Sequence, residues 1–346
     1  MMPLEQSNLQ SQGSINIPTK LPLLENLCWN IENPYSLSLE EMLAIYEERW
    51  RFKGILGELE PTEQGFIKNI VTQFRGLPLV EMNDKKSKEA VFSAIKKITE
   101  QININLFDQY RVVLGGGALI SMLYQQLRYS SDLDFLVPPQ DYNALGYRLR
   151  QGESIFTSTD DLEVGNPRID KYGIRYPIRF NQDNQEITIK LEIVAEWNMA
   201  IAEPELINNI PCLNLSDLVT AKLLANVDRG HDQSKFSRDL IDLAIISSQT
   251  KIPSTAIDKA RSIYPDAISG LKETVAKFQN NPQYREKCYE NLQINRPEII
   301  INGIDYLAIK CSLKPTERTY SETDFSYLDP EPKSQKSSKK STEDER

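Results

Sequence analysis

The sequence predicts an α+β fold, with a small mixed β-sheet flanked by helices and further helical parts at both ends of the chain. Short apolar or alternating segments typical of strands lie at 110–114, 132–137 and 186–194. Apolar residues at helical spacing occur on both sides of these segments. The chain has 346 residues and 40% hydrophobic content, which is enough for a buried core.

Five regions are predicted along the chain. Residues 1–22 are rich in Gln, Ser, Asn and Pro, a composition that buries too little surface to order itself, and are expected to be a disordered leader. Residues 23–83 are expected to form a small helical N-terminal unit, residues 84–212 the core with the sheet, and residues 213–314 a helical C-terminal domain. Residues 315–346 are rich in Ser, Lys, Glu and Pro and are expected to be a disordered tail.

Helix signals begin in the N-terminal unit. Ser38 precedes Glu41 by three residues, which is the spacing of a capping box, and apolar residues then recur at helical intervals. A second helix is predicted after Pro61, with Thr62 as its cap, and a third over about 86–101, whose lysines are interpreted as a solvated face. Further helices are predicted at 118–127, 216–226, 237–248, 254–263, 267–278 and about 299–309.

Asp132 and Asp134 are the first candidates for chemistry. Alternate residues of a strand point to the same side, so these two carboxylates share one face and Leu133 and Phe135 share the other. Like charges at this separation repel unless a cation lies between them, and two oxygen ligands suit magnesium, which also takes phosphates and water. Alone, an Asp-x-Asp pattern is too short to identify a metal site.

The glycine run before the aspartates strengthens this interpretation. Gly115, Gly116 and Gly117 lie between a predicted strand and a predicted helix, where missing side chains let a phosphate approach the backbone amides. That helix leads to Arg128 and Ser130 and then to the aspartates. Candidate phosphate-binding groups and candidate metal ligands therefore converge on one short segment.

Glu192 is the candidate third carboxylate. In the alternating strand, Ile187, Ile189, Leu191 and Ile193 face one way, whereas Thr188, Lys190 and Glu192 face the other. If the apolar face packs on helices, Glu192 shares the open face with the aspartates. Two-metal phosphoryl transfer uses such a residue as a ligand or a base. The alternative is an exposed glutamate on an edge strand.

Charge and composition exclude several classes of protein. A net charge of -9 argues against a protein that coats nucleic acid by bulk electrostatics. A local basic rim is one interpretation of six residues, the alternative being a scattered solvated surface: Arg148, Arg150, Arg168, Lys171, Arg175 and Arg179. The four cysteines lack the paired spacing of a zinc site or disulfide framework.

No signal peptide or membrane-length apolar run is found, so a cytoplasmic location without membrane contact is expected. The single histidine, His231, is interpreted as an exposed loop residue.

Four motifs together resemble a known family. Gly115 to Ala118 and the run RYSSDLDF from Arg128 to Phe135 look like the first motif of the AbiEii/AbiGii-type toxin nucleotidyltransferases, a branch of the DNA polymerase beta-like superfamily. The segment DLVTAK, Asp217 to Lys222, looks like that family's helix motif ending in lysine. The segment RDLIDL, Arg238 to Leu243, looks like its closing acidic helix. The resemblance runs from about Tyr110 to Ser248.

The resemblance implies a nucleotidyltransferase core and a set of site residues. The metal ligands, for Mg²⁺ or Mn²⁺, are Asp132, Asp134 and Glu192. The catalytic residues are Asp132, Asp134, Glu192, Lys222 and Asp239. The nucleotide-binding candidates, which include those from the residue pattern above, are Gly115, Gly116, Gly117, Arg128, Ser130, Lys222 and Asp242. A lysine among apolar neighbours, as at position 222, needs an anionic partner such as Asp239 or a triphosphate, unless it extends to solvent.

The favoured function is transfer of a nucleoside monophosphate from an NTP to a hydroxyl of RNA, tRNA or protein. The family resemblance implies the toxin of a toxin-antitoxin pair, with an antitoxin protein as partner. Two alternatives stay open. One is a catalytically degenerate binding or scaffold protein of the same fold, and the other is a phosphotransferase that moves the γ-phosphate.

Overall fold

The computed structural model describes residues 15–50, 56, 59–76, 87–160, 162–182 and 185–323. Its architecture is the predicted α+β class, with one mixed sheet and helices around it. Within the described residues the sheet has eight strands, in the order β3-β5-β6-β2-β1-β8-β7, with β4 paired to β5. The strands are β1 (Val113–Leu114), β2 (Asp132–Val137), β3 (Glu163–Val164), β4 (Arg168–Ile169), β5 (Ile174–Gln182), β6 (Gln185–Ala195), β7 (Glu205–Ile207) and β8 (Ile210–Cys212).

Strand β2 lies at the centre of the sheet. It pairs in parallel with β6 and antiparallel with β1, while β5 pairs antiparallel with β6. The predicted alternation is confirmed, because Leu133, Phe135 and Val137 are buried on one side, as are the isoleucines of β6. Phe135 meets Phe107 edge-on at 5.0 Å in the core. The opposite side of β2 and β6 is left for polar residues.

The described helices surround this sheet and continue beyond it. They are α1 (Pro22–Leu27), α2 (Leu39–Arg49), α3 (Pro61–Phe74), α4 (Lys88–Glu100), α5 (Ile104–Gln109), α6 (Gly116–Leu123), α7 (Pro139–Arg150), α8 (Leu215–Arg229), α9 (Arg238–Gln249), α10 (Ser254–Ile263), α11 (Ala267–Gln279), α12 (Pro282–Asn291) and α13 (Pro297–Lys310). Helix α2 begins with the predicted capping box of Ser38 and Glu41. Helix α3 begins at Pro61 itself with Glu60 at the cap position, so the prediction of a start after Pro61 with Thr62 as the cap is wrong.

Helix α6 differs from its prediction at both ends. It begins at Gly116 and ends at Leu123, whereas 118–127 was predicted. Gly116 enters the helix with a φ of +65°, which glycine adopts without steric cost, and Gln125 and Gln126, beyond the end of the helix, have positive φ angles. The predicted strand at 110–114 is also shorter, since Tyr110 ends helix α5 and only the last two residues pair with β2.

The N-terminal helices α1 to α3 share a core of their own. Leu23, Met42, Tyr46 and Ile70 are among its fully buried side chains. The buried carboxylate of Glu63 ties the three helices together, because it accepts hydrogen bonds from the amides of two α1 residues and from the Tyr46 hydroxyl. The division of the chain into domains remains a prediction.

The predicted boundaries of the disordered ends are wrong where the structure describes them. Leu21, inside the predicted leader, is fully buried against the N-terminal core. Thr316 and Glu322, inside the predicted tail, are also buried. Glu322 accepts two hydrogen bonds from the fully buried guanidinium of Arg285, at 2.5 and 2.9 Å, and one from Tyr289. This ion pair secures a segment that has almost no aliphatic residues.

Residues 1–14 and 324–346 lie outside the described residues. Among the helices that the structure describes, none has the length and apolar character needed to cross a bilayer.

Candidate active site

The predicted carboxylates lie side by side on the polar face of the sheet. Asp132 pairs with Lys190 and Asp134 pairs with Glu192 in the parallel register of β2 and β6. Because paired residues of neighbouring strands point to the same side, Glu192 lies beside Asp134 as the alternation predicted. We call Asp132, Asp134, Glu192, Lys190 and Arg175 the acidic sheet face.

Two cations of the protein itself occupy this face. Arg175 of β5 lies opposite Glu192 and donates from Nε to Glu192 Oε1 at 2.5 Å. The Lys190 ammonium lies 3.5 Å from Glu192 Oε2 and 3.8 Å from Asp132 Oδ2. Both oxygens of Glu192 therefore already face a cation. The negative charge that is left belongs mainly to Asp132 and Asp134.

Asp134 is the electrostatically strained member of the acidic sheet face. Burial, together with the negative charges of Asp132 and Glu192, raises the pKa of Asp134 to about 6, and the positive charges of Lys190 and Lys222 limit this rise. A carboxyl group in this condition gains from any added cation, because the cation favours the ionised form. The pair Asp132 and Asp134 thus has the electrostatics of a cation site.

The glycine run packs directly against these residues. Gly116 has a φ of +65°, and a Cβ there would lie 2.4 Å from Asp134 Oδ2. A Cβ on Gly117 would lie 2.2 Å from Arg128 Nη2 and 2.6 Å from Ser130 Oγ. The missing side chains therefore make room for the protein's own carboxylate and guanidinium. Whether Gly115, Gly116, Gly117 and Ser130 also contact a nucleotide remains a prediction.

A buried ion-pair network lies next to the sheet face. Arg128 donates to both carboxylate oxygens of Asp242, at 2.5 and 2.8 Å, and to the carbonyl of Tyr129 at 2.6 Å. Arg128 is 4% exposed and Asp242 is fully buried. All three guanidinium nitrogens are thus engaged within the protein. These contacts give Arg128 and Asp242 a structural role, and their predicted contact with nucleotide is untested.

Lys222 connects this pair to Asp239. Its ammonium lies 2.7 Å from Asp242 Oδ2 and 3.2 Å from Asp239 Oδ1, so the predicted pairing of Lys222 with Asp239 is present. Arg229 completes the network by donating to both oxygens of Asp239, at 2.6 and 2.9 Å. We call these five residues, Arg128, Asp242, Lys222, Asp239 and Arg229, the helix network.

The helix network has the opposite charge balance to the sheet face. It joins three cations to two carboxylates and so carries one excess positive charge. Burial alone would raise the carboxyl pKa values, but Lys222 and Arg229 hold the pKa of Asp239 well below its ordinary value, and Arg128 and Lys222 do the same for Asp242. Lys222 also lowers the pKa of Asp134, which places the two clusters within electrostatic reach. A cation-accepting face thus adjoins an anion-accepting cluster.

The donor set fits a divalent cation at two carboxylates. Asp132 and Asp134 offer adjacent oxygen ligands on one strand face, which suits magnesium completed by phosphates and water. No cluster of three or more His, Cys, Asp or Glu side chains with metal-ligand geometry occurs among the residues that the structure describes. Glu192 shares the face and is paired with Arg175 and Lys190, and its role as a third metal ligand stays a prediction.

Four of the six residues of the predicted basic rim pair with carboxylates, whereas Arg150 donates to the carbonyl of Ile169. Arg148 pairs with Glu153, Arg168 with Asp170, Arg175 with Asp170 and Glu192, and Arg179 with Glu163. These carboxylates neutralise the arginines that the sequence brings close together. The exposed His231 lies 3.5 Å from Glu273, in agreement with the interpretation as a surface loop residue.

Three residues of the site were not identified from sequence. Lys190 was assigned to the polar face, and its position two residues before Glu192 on that face was a signal that could have been used. Arg175 and Arg229 had no local signal. Their partners, Glu192 and Asp239, are 17 and 10 residues away, and only the strand register and the helix packing bring them together.

Comparison with known proteins gives a family and two similar solved structures. A sequence model described as "Nucleotidyl transferase AbiEii toxin, Type IV TA system" matches residues 101–328. JHP933 from Helicobacter pylori is 19% identical with a TM-score of 0.39, over 66% of this chain and 92% of that chain. A second H. pylori protein, provisionally assigned as a nucleotidyltransferase, is 17% identical with a TM-score of 0.38, over 66% and 95% of the two chains. At these values the structural likeness bears on neither substrate nor site. No curated protein matches the chain.

Proposed function

Since this chain belongs to the AbiEii nucleotidyltransferase toxin family, we propose that it moves a nucleoside monophosphate from an NTP to a hydroxyl, using Mg²⁺ or Mn²⁺ held by Asp132 and Asp134. The family predicted from the four motifs is thereby confirmed, and with it the assignment as a nucleotidyltransferase. The family is that of type IV toxin-antitoxin systems, so an NTP and an antitoxin protein are the expected partners. Metal dependence and the acceptor are the parts that we propose.

One observation carries the proposal: the acidic sheet face adjoins the positively charged helix network. Asp134 lies within electrostatic reach of Lys222 and also raises the pKa of Arg229. A metal-nucleotide complex carries both signs of charge, because its cation needs carboxylates and its phosphates need cations. The two clusters meet these needs on neighbouring elements.

The roles of the chain's own groups follow from this arrangement. Asp132 and Asp134 hold the cation, and Lys222 and Arg229 bring positive charge to the phosphates. The bound metal would neutralise phosphate charge and orient the nucleotide. The acceptor hydroxyl loses its proton to solvent as its oxygen forms a bond to the α-phosphorus. The bond from the α-phosphorus to the oxygen that bridges to the β-phosphate breaks, so pyrophosphate leaves.

The acceptor is proposed to be a hydroxyl of RNA, including tRNA, or of a protein. The net charge of -9 and the paired arginines do not favour a broad nucleic-acid surface. The acceptor is therefore best found by supplying both classes to the same preparation of enzyme.

The experiment uses each NTP labelled on the α-phosphate or on the γ-phosphate, with total RNA, purified tRNA and protein extract as acceptors. We expect α-label to join one acceptor class with release of pyrophosphate, and chelation by EDTA to stop it. Asp132→Ala with Asp134→Ala should reduce transfer by roughly a thousandfold or more, as expected when groups holding the transition-state charge are lost. Asp228→Asn, on an exposed residue of α8, should transfer normally.

Two results would overturn the proposal. Transfer of γ-label instead would identify a phosphotransferase. Equal transfer in the presence of EDTA would remove the metal from the mechanism.

One observation favours a second candidate, a binding protein of this fold without turnover. Arg175 and Lys190 neutralise the third carboxylate, Glu192, which two-metal transfer would use as a ligand. If the intact protein transfers no label and the double alanine variant has the same effect in cells, this second function holds.

A further inference from the structure

Lys190 differs from the other buried cations of the site in how it meets its partners. Its Nζ lies 3.5 Å from Glu192 and 3.8 Å from Asp132, and both distances exceed the range of a hydrogen bond. Lys222, by contrast, lies 2.7 Å from Asp242. The Lys190 side chain is 14% exposed and that of Asp132 is 23% exposed. Lys190 is therefore close enough to neutralise both carboxylates without a short hydrogen bond to either of them.

Glu192, on the other hand, is firmly held. Arg175 lies across the strand pair from it and donates at 2.5 Å, and Arg175 is itself held by Asp170 at 3.3 Å. Glu192 is thus an anion held in a fixed position. The Lys190 ammonium lies within 4 Å of both Glu192 and Asp132. In the register of the sheet, Lys190 is the direct neighbour of Asp132.

We infer that Lys190 is an internal counter-ion that neutralises Asp132 when no divalent cation is present, and that it competes with the metal for this carboxylate. This inference rests on the proposed metal site at Asp132 and Asp134. Glu192 then acts as a positioning residue that retains Lys190, and one divalent cation binds to the protein's carboxylates instead of two. The physical reason is repulsion, since an ammonium within about 4 Å of a metal ligand disfavours a second cation there.

The test measures Mn²⁺ binding to the full chain without nucleotide, by electron paramagnetic resonance. Lys190→Met should tighten Mn²⁺ binding by about tenfold, equivalent to roughly 1.4 kcal/mol. Lys190→Arg, which keeps the charge, should bind within about twofold of the wild type. Arg179→Met is the matched control, because Arg179 is a cation of β5 that pairs with Glu163 and Glu186 and not with the aspartates. It should leave Mn²⁺ binding unchanged.

A second measurement compares the melting temperatures of the wild type and Lys190→Met, with and without Mn²⁺. Without Lys190, Arg175 is the remaining cation among the residues of the acidic sheet face, which keeps its three carboxylates. Metal-free Lys190→Met should therefore melt at a lower temperature than the wild type. Saturating Mn²⁺ should raise its melting temperature by more than it raises that of the wild type. If Lys190→Met is too unstable to purify, Lys190→Gln serves for both measurements, since it removes the charge and keeps a polar side chain.

A double-mutant cycle tests the role of Glu192. In wild-type background, Glu192→Gln frees Lys190 for Asp132 and should weaken Mn²⁺ binding. In Lys190→Met background, the same change should alter binding by less than about twofold, because no lysine remains to be positioned. If Glu192 is a direct ligand, its loss weakens binding by about tenfold or more in both backgrounds, which overturns this role.

The inference and the proposed function fail in different ways. If Mn²⁺ binds to the wild type and to Lys190→Met with equal affinity, Lys190 is not a competitor, whereas the metal site stands. If neither protein binds Mn²⁺ and Asp132→Ala changes nothing, the metal site itself is absent. A stoichiometry of two ions on the wild-type carboxylates would also contradict the inference.

Discussion

The acidic sheet face and the helix network place carboxylates and cations together, yet the two clusters treat their aspartates in opposite ways. In the helix network, bidentate arginines and a lysine at 2.7 Å keep the pKa values of Asp239 and Asp242 low despite burial. On the sheet face, Asp134 has no such partner, and its pKa rises to about 6. The carboxylates of the helix network are paired with cations of the chain itself, whereas the sheet face keeps an excess of negative charge that an added cation would stabilise. The aspartates of the two clusters therefore differ in how much they would gain from a bound cation.

The geometry explains why the clusters differ. Side chains on neighbouring helices approach from several directions, so Asp242 can meet Arg128 and Lys222 together. Side chains on a sheet face project in parallel, so the cation nearest to Asp132 comes from the adjacent strand, as Lys190 does, while Gly116 of α6 packs against Asp134 without bringing a charge. The open side is where a metal and nucleotide would enter.

The largest effect is expected from breaking the helix network. Asp242→Ala leaves Arg128 and Lys222 buried without their common partner, and removing one member of a buried pair costs about 3–5 kcal/mol. Urea unfolding should show this loss in the free energy of unfolding. Asp228→Asn, on an exposed residue, should change that free energy by less than about 0.5 kcal/mol. An equally small effect of Asp242→Ala would mean that the network contributes little to stability.

A smaller loss in the free energy of unfolding is expected from a change in the glycine run where it contacts the helix network. In Gly117→Ala the new Cβ would lie 2.2 Å from Arg128 Nη2, and Arg128 cannot move without losing its bonds to Asp242. Overpacking of this kind costs about 1–3 kcal/mol, measurable by urea unfolding. Gly65→Ala is the matched control, because Gly65 lies in α3 with open space around its Cα, so alanine should stabilise the helix by up to about 1 kcal/mol. If Gly117→Ala and Gly65→Ala have equal free energies of unfolding, the close approach of Gly117 to Arg128 does not contribute to stability.

The pH dependence of stability gives the smallest effect and isolates Asp134. Its pKa of about 6 in the folded protein lies above its ordinary value of 3.8, so between these pH values the folded state binds more protons than the unfolded state. Metal-free protein should therefore gain about 1–2 kcal/mol in free energy of unfolding as pH falls from 7.5 to 4.5, a figure reduced for partial solvent exposure.

Asp134→Asn should remove this gain, while other titrating groups keep their contributions in both proteins. Magnesium should oppose the gain in the wild type, because a bound cation favours ionised Asp134. The comparison between the clusters would be wrong if the wild type and Asp134→Asn showed the same pH profile.

Local patterns in the sequence were sufficient for several parts of the molecule. Strand β2 was predicted at its observed bounds, since its two-residue alternation is a local property and Pro138 and Pro139 end it. The same alternation in β6 predicted that Glu192 lies on the face of the sheet that carries Asp132 and Asp134. Helices α9 and α10 were predicted to within one residue at each end, because their apolar spacing is regular. The family was recognisable because its motifs are short and ordered along the chain.

The sequence by itself determined which residues are charged, which face of a strand they occupy, and which family the chain belongs to. Only the tertiary structure decided how those charges are paired. Arg128 meets Asp242 across 114 residues of sequence, and Glu322 orders a segment of disordered-looking composition by meeting Arg285 from 37 residues away. Strands of two or three residues, such as β7 and β8, are too short for a periodic signal and form only because a neighbouring strand pairs with them. The physical reason is that periodicity depends on the local chain, whereas ion pairs and strand neighbours depend on packing between distant segments.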